Sequence, residues 1–466
     1  MAQLKERPKP YVIPEYCKGC GRCVSVCVKG CIAFAGEINP VTGVIPIVLD
    51  LEKCTGCGLC IEACPEPYGL RAMEAGETYE LQDPAKLFGA KHSEAPEPKE
   101  IPAEKVPLPK TQPLVIKGNY ASAVGAILAG CRHMYGYPIT PSTEGAELMA
   151  KLLPKLDGVF LQAVSEVATV NHMYGTGGAG LPVMTFTSSP GFSLMLEGVS
   201  YMVGAEVPGV FVNIMRGGPG LGNIAPEQAD VKLACRGLGH GHTHCISLMP
   251  STPQEMLDYT SLAFELSFKY RNPVIVLADG YLGQMTGKVQ LPDHMTKPGI
   301  PTWAVYGDLN HRKNLIASIQ LQEQDLEKFN IYLEEKYQKM QVEARAESFM
   351  TDDADVLLVA CNTPARAAKG AVQSLREQGI KAGLFRPITI WPFPIDQLKQ
   401  LLPHIQRIVM VEANAGGQIE DELRLALSKA GVEKLPPITS VRRFGGLLPQ
   451  QTEVVDHVTS LVAAKK

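Results

Sequence analysis

The chain has 466 residues, 45% of them hydrophobic and 20% charged, with a net charge of −4. That length predicts about three domains, and the slightly acidic balance offers no footprint for nucleic acid. No run of about eighteen apolar residues occurs and the first residues (MAQLKERPKPYVIPEYC) hold no apolar core, so no membrane span and a cytoplasmic location are expected.

Nine of the thirteen cysteines fall between Tyr16 and Pro65. They read Cys17-x-x-Cys20-x-x-Cys23-x-x-x-Cys27, then Cys54-x-x-Cys57-x-x-Cys60-x-x-x-Cys64-Pro65. Three thiolates at this spacing wrap one [4Fe–4S] cube, and the fourth cysteine of each run reaches the other cube. The expected ligand sets are therefore Cys17, Cys20, Cys23 and Cys64 for one cluster, and Cys54, Cys57, Cys60 and Cys27 for the other. Zinc knuckles and a disulfide framework are the competing readings; neither uses a third cysteine at x-x spacing with a crossed fourth. Val28 stands where the repeat usually has proline, and Cys31 is a spare thiol. Cys31 is read as packed nearby, with replacement of Cys27 as the alternative. The remaining Cys131, Cys235, Cys245 and Cys361 show no ligand spacing and read as buried small hydrophobes.

A small α+β cluster domain is thus expected over residues 1–84, followed by a linker over 85–113. The tract from Ser93 to Pro113 carries seven charged residues and many prolines. Extended at about 3.1 Å per residue it would span roughly 60 Å, either as a tether or lying along the surface. From Leu114 short apolar strands alternate with amphipathic helices. Strands are expected at His133–Thr140, Val159–Ala163, Pro182–Thr187, Gly209–Met215, Cys245–Met249 and Asn272–Ala278, with helices between. This is a parallel sheet covered on both faces, with ligands at the carboxyl ends of its strands. It fills residues 114–285. A linker and a charged helix occupy 286–350, with Leu326, Phe329, Leu333, Tyr337, Met340 and Ala344 forming one apolar stripe. A second α/β unit covers 351–466.

Six stretches then resemble one family. They are GYPITPST (Gly136–Thr143), SEVATVNHMYG (Ser165–Gly175), TSSPGFSLMLEG (Thr187–Gly198), MRGGPGLGN (Met215–Asn223), LFRPITIWPFP (Leu384–Pro394) and VEANAGGQIED (Val411–Asp421). The chain from about Gly118 onward is similar to the α subunit of 2-oxoacid:ferredoxin oxidoreductases, with a ferredoxin segment fused in front. The resemblance implies a thiamine-enzyme pyrimidine-type domain and a transketolase C-terminal-like domain. It also implies oxidative decarboxylation of a 2-oxoacid to an acyl-coenzyme A and CO2, with electrons leaving through iron–sulfur clusters to ferredoxin or another electron-transfer subunit.

By the same resemblance Glu166 is the carboxylate for N1′ of thiamine diphosphate, Arg216 the cation for the substrate carboxylate, and Thr140 a hydrogen-bonding residue for both. Their bland counterparts are a charge favoured by the helix dipole, a surface ion pair and turn chemistry between Pro138 and Pro141. Diphosphate and Mg²⁺ need a Gly-Asp-Gly followed by Asn. Ala278-Asp279-Gly280 with Asn310 lacks the first glycine and reads as coincidence. The diphosphate half is then expected from a partner β subunit, with a γ subunit in the complex, and this chain alone is expected to be inactive. Gly239-His240-Gly241-His242-Thr243-His244-Cys245 would place three histidines on one face of a strand, with a metal as the minor reading. The MRGGPGLGN form is most similar to the branched-chain (2-oxoisovalerate) type. Alternatives are an arylglyoxylate or 2-oxoglutarate type, or a non-catalytic electron-transfer or scaffold subunit.

Overall fold

The computed structural model describes residues 8–39, 42–74, 76–77, 97–311 and 313–463. They fall into two compact units, Met1–Glu100 with Thr302–Glu334, and Ile101–Pro301 with Glu335–Lys466.

The first unit repeats one pattern twice. Each Cys-x-x-Cys-x-x-Cys loop runs into a short helix, Arg22–Ser25 or Leu59–Ala63, whose preceding residue is Gly21 or Gly58 in the left-handed region. An L side chain rarely adopts that conformation, so glycine is what lets the loop reverse around its sulfurs. Two antiparallel ribbons frame the loops: β1 (Pro10–Val12) with β4 (Leu70–Ala72), and β2 (Ile32–Phe34) with β3 (Ile47–Leu49). The core is small: Val12, Ile32, Ile47, Leu49 and Leu70 close on Cys23 and Cys60.

The second unit begins in a ribbon. β5 (Glu104–Pro107) pairs with β14 (His294–Lys297), and β6 (Leu114–Lys117) with β13 (Thr286–Val289), all antiparallel. The described part of the expected 85–113 linker is therefore partly strand, bridged already at Ile101 to Ile300. The expected 286–310 linker likewise contains two strands. Proline-rich sequence hid both because edge strands tolerate proline. Residues 85–96 lie outside the described ones.

β7 (His133–Gly136), β8 (Val159–Gln162), β9 (Val183–Thr187), β10 (Gly209–Met215), β11 (Ile246–Leu248) and β12 (Pro273–Asp279) form the main parallel sheet. Its spatial order is β11-β12-β10-β9-β7-β8, and β9, β10 and β12 are buried at every residue. A buried strand reads as an unbroken apolar run, which is why these strands were legible. The chain turns from β7 outward to β8, then returns to β9 on β7's other side. That reversal opens a crevice at the carboxyl ends. The 18-residue helix Pro253–Tyr270, whose bounds the pattern did not give, packs on this sheet.

The second α/β sheet has the order β15-β17-β16-β19-β20, from β15 (Ala346–Phe349), β16 (Val356–Ala360), β17 (Ala382–Pro387), β19 (Arg407–Glu412) and β20 (Ile438–Arg442). Between β17 and β19, β18 (Thr389–Trp391) leaves this sheet and pairs antiparallel with β11 of the first. The two sheets therefore share a strand connection. The apolar stripe of helix Glu323–Met340 is buried from Leu333 onward, whereas Leu326 is exposed. No helix of the described residues is long and apolar enough to cross a membrane.

Candidate active site and cluster sites

The structure gathers the cysteines into two groups. One cavity is lined by Cys17, Cys20, Cys23 and Cys64; another by Cys27, Cys31, Cys54, Cys57 and Cys60. All are free thiols. Burial, followed by the neighbouring Cys17, Cys20 and Cys64, pushes the Cys23 thiol up to about 12. Four thiolates in one small cavity are thus unfavourable without cations, and iron would supply the missing positive charge. Among the described residues no three His, Cys, Asp or Glu side chains close on a single metal ion. Sulfurs spread around a cavity, in loops bent by positive-φ Gly19, Gly21, Gly56 and Gly58, instead fit a cube.

Cys27 is held as a ligand would be. Its sulfur accepts from the Cys31 backbone N–H at 3.3 Å. Burial raises the thiol, but hydrogen bonds from Cys31, Lys29 and Gly30 outweigh it and leave it below its ordinary value.

In the second unit, Ser165 caps the helix Glu166–Gly178 by accepting from Ala168 N at 3.2 Å. Glu166 is the first helical residue, only 6% exposed. Its carboxylate makes no hydrogen bond to another described residue. It faces Gly191, where a Cβ would lie 2.6 Å from Glu166 Oε1 and 2.5 Å from Thr187 Oγ1. The helix Ser189–Gly204 that carries Gly191 packs on the Glu166 helix, with Gly198 against Val170.

Arg216 follows β10 and is 7% exposed. One Nη donates to Thr140 O at 2.8 Å and the other to Leu221 O at 3.1 Å. Its Nε is buried without a partner, and among the described residues it makes no ion pair. A buried guanidinium without a carboxylate fits an incoming anion. Its backbone N–H donates to Ser189 Oγ at 3.1 Å, and that hydroxyl reaches Asp230 Oδ2 at 2.5 Å. Asn213 donates to the same oxygen at 2.9 Å. Burial raises the Asp230 carboxyl against these hydrogen bonds and the nearby Arg216 charge.

Thr140 is exposed, and its carbonyl rather than its hydroxyl is engaged. Glu166, Arg216 and Thr140 thus stand at one end of the sheet, linked through Thr187, Ser189 and Gly191. The sequence places Ser188-Ser189-Pro190-Gly191 at a strand end where a site would fall, without giving these residues a role, and it offers no signal for Asp230.

Two motifs resolve differently. Asp279 is fully buried and spent: Leu282 N and the Thr363 hydroxyl donate to Oδ1, and Thr363 N to Oδ2. It is a helix cap and inter-sheet clasp, fully buried under the groups it holds. The histidines precede β11 rather than alternating along a strand. His244 stacks on Trp391 at 4.6 Å, and His242 meets Tyr337 edge-on at 5.3 Å. Aromatic neighbours organise His242 and His244.

Known proteins agree with this architecture. Residues 16–67 match a 4Fe-4S dicluster domain. Residues 124–351 match the thiamine diphosphate-binding domain of pyruvate flavodoxin/ferredoxin oxidoreductases, and 354–454 core domain II of pyruvate:ferredoxin oxidoreductases. A ketoisovalerate oxidoreductase subunit of Methanothermobacter thermautotrophicus is 43% identical over 74% of this chain and 96% of its own length. The chain belongs to the 2-oxoacid:ferredoxin oxidoreductase family. Within it, a 2-oxoglutarate synthase subunit of Methanocaldococcus jannaschii is 36% identical over 73% of this chain and 97% of its own. Among solved structures, 2-oxoglutarate:ferredoxin oxidoreductase from Magnetococcus marinus superposes with a TM-score of 0.65 at 26% identity, covering 75% of this chain and 65% of that one. As a family member the chain is an oxidoreductase subunit with thiamine diphosphate and 4Fe–4S clusters as cofactors. The thiamine domain match contains Thr140, Glu166 and Arg216, and the dicluster match contains all nine clustered cysteines.

Proposed function

We propose that the chain is the α subunit of a branched-chain 2-oxoacid:ferredoxin oxidoreductase, converting the 2-oxoacid and coenzyme A to acyl-coenzyme A and CO2. The observation that carries this reading is Glu166, a buried carboxylate with no internal partner, at the carboxyl end of the sheet and with a glycine opposite. When bound, thiamine diphosphate would supply the nucleophilic and electron-holding chemistry of the decarboxylation, which no side chain here can provide. Glu166, buried at the start of its helix, would hydrogen-bond N1′ of the aminopyrimidine. Arg216 turns its remaining donors to the substrate carboxylate, and Thr140 lines the same entrance.

Cys17, Cys20, Cys23 and Cys64 hold one [4Fe–4S] cluster, and Cys27, Cys54, Cys57 and Cys60 the second; electrons leave through them to ferredoxin. In this division, residues 1–84 carry electrons and the two α/β domains perform chemistry in the cytoplasm.

A partner β subunit completes the site with the diphosphate and Mg²⁺. Asp279 is buried and committed to Leu282 and Thr363, and apolar side chains next to Glu166 stand open: Val164 at 88% exposure, with Val167 and Leu194. Exposed apolar residues around an incomplete site mark an interface.

The branched-chain preference rests on the identity to ketoisovalerate relatives and on the site motifs, in which Arg216 is the Arg left for a substrate carboxylate while Arg386 is taken by Glu255 and Glu347. A substrate panel on the co-expressed complex, with a viologen dye as acceptor, tests it: 2-oxoisovalerate should exceed 2-oxoglutarate in kcat/KM. The reverse order assigns the 2-oxoglutarate type. For the catalytic role, Glu166→Gln in the complex should lower kcat by about 10²–10⁴-fold with cluster content intact. Unchanged activity would make the chain a scaffold.

A further inference from the structure

Cys31 is the ninth thiol of the cluster segment, and the two ligand sets leave it over. Its place in the fold is specific. It directly precedes β2, its carbonyl accepts from Asp50 N at 2.8 Å, and it is 5% exposed. The turn between Cys27 and Cys31 closes with Gly30 N donating to Cys27 O at 3.0 Å, Gly30 sitting at a φ of +60°. This turn brings the two sulfurs to 3.5 Å, in hydrogen-bond contact. Cys31 also lines the same cavity as Cys54, Cys57 and Cys60. The first cavity has no counterpart: Cys17, Cys20, Cys23 and Cys64 line it without a fifth sulfur.

We propose that Cys31 is a reserve ligand of the second cluster, able to hold the iron otherwise bound by Cys27. This rests on the ligand sets proposed above. A four-sulfur cavity has one way to close a cube; this five-sulfur cavity has two, differing by the choice between two sulfurs already in contact. When Cys27 is absent, the Cys31 thiol gives its proton to water and its sulfur bonds the vacated iron. No electron is transferred. The backbone on the Cys31 side is pinned by β2, so the exchange needs a side-chain rotation rather than refolding of the loop. Thiolate–iron bonding then supplies what the displaced Cys27 bond supplied before.

The test uses the full chain in its complex, purified and reconstituted without oxygen. Iron, acid-labile sulfide and the electron paramagnetic resonance of the reduced protein are measured for Cys27→Ala, Cys27→Ser, Cys57→Ala and the Cys27→Ala/Cys31→Ala pair. Both Cys27 single variants should retain iron and sulfide for two clusters, with the signal of one cluster altered. The double variant should lose half of the iron. Single and double variants with the same iron content, whether full or half, overturn the role of Cys31. Cys57→Ala is the separate check: no spare sulfur stands by it, so it should lose half of the iron. Two clusters in Cys57→Ala would sink the ligand sets themselves.

Discussion

At the start of the Glu166–Gly178 helix a carboxylate faces Gly191, and the lack of a side chain there leaves room for its Oε1. Gly191 lies in a helix with an ordinary negative φ, so space and not backbone conformation is what requires glycine. Gly191→Ala would drive a methyl to 2.6 Å from the carboxylate and must displace it. A misplacement of that size is expected to cost on the order of a hundredfold in kcat. Steady-state kinetics with unchanged iron content would show it; full activity would remove Glu166 from N1′. Arg216 presents a different problem. Two of its donors are committed to the Thr140 and Leu221 carbonyls, which fixes the plane of the fork. Arg216→Lys keeps the charge and loses the fork. We expect KM to rise about tenfold or more, with a smaller fall in kcat, because one bidentate contact is worth roughly 1.4 kcal/mol or more.

Among the elements, helix Pro253–Tyr270 joins the two sheets through a buried ion pair. Thr252 caps it by accepting from Glu255 N at 3.1 Å, and Glu255 takes two bonds from Arg386 of β17, at 2.7 and 3.0 Å. Arg386 is buried and its other carboxylate is Glu347. Glu255→Ala should therefore destabilise by on the order of 3 kcal/mol, since it strands half of a buried charge. Urea unfolding of the chain measures this; a loss under about 1 kcal/mol would place the pair among solvent-screened surface bridges. The sequence Thr252-Pro-Gln-Glu255 is a capping signal, and with it this helix was within reach of sequence reading. Its apolar positions, interrupted by Thr260 and Ser267, obscured the period.

For the whole molecule, the two α/β sheets are one body. β18 crosses from one to the other, Asn362 donates to Pro250 O and Leu277 O, and Gln228 joins Asn362 to Ala413. In the proposed function that body supplies half of a thiamine site. The purified chain without partners is expected to bind no stoichiometric thiamine diphosphate–Mg²⁺ and to turn over no 2-oxoacid, as isothermal titration and dye reduction would show. Turnover by the single chain would mean that the diphosphate half is also carried here.

How much of this was legible depends on the range of the interactions. Cys-x-x-Cys loops close locally, and fully buried parallel strands are predominantly apolar, so the cluster segment and the main sheet can be read from sequence. The residues Glu166, Arg216 and Thr140 were reachable only through their resemblance to a family, because a lone Glu, Arg or Thr carries no period. What surrounds them, Gly191 opposite the carboxylate, Ser189 and Asp230 behind Arg216, Thr363 on Asp279, comes from strands and helices far apart in the chain. Those contacts exist only once the order β11-β12-β10-β9-β7-β8 is set, and burial then decides which polar groups are spent and which stay open. The sequence by itself determined that two clusters and two α/β sheets are present. Tertiary structure decided that Asp279 is a clasp, that the histidines pack on aromatic rings, and that Cys31 stands against Cys27.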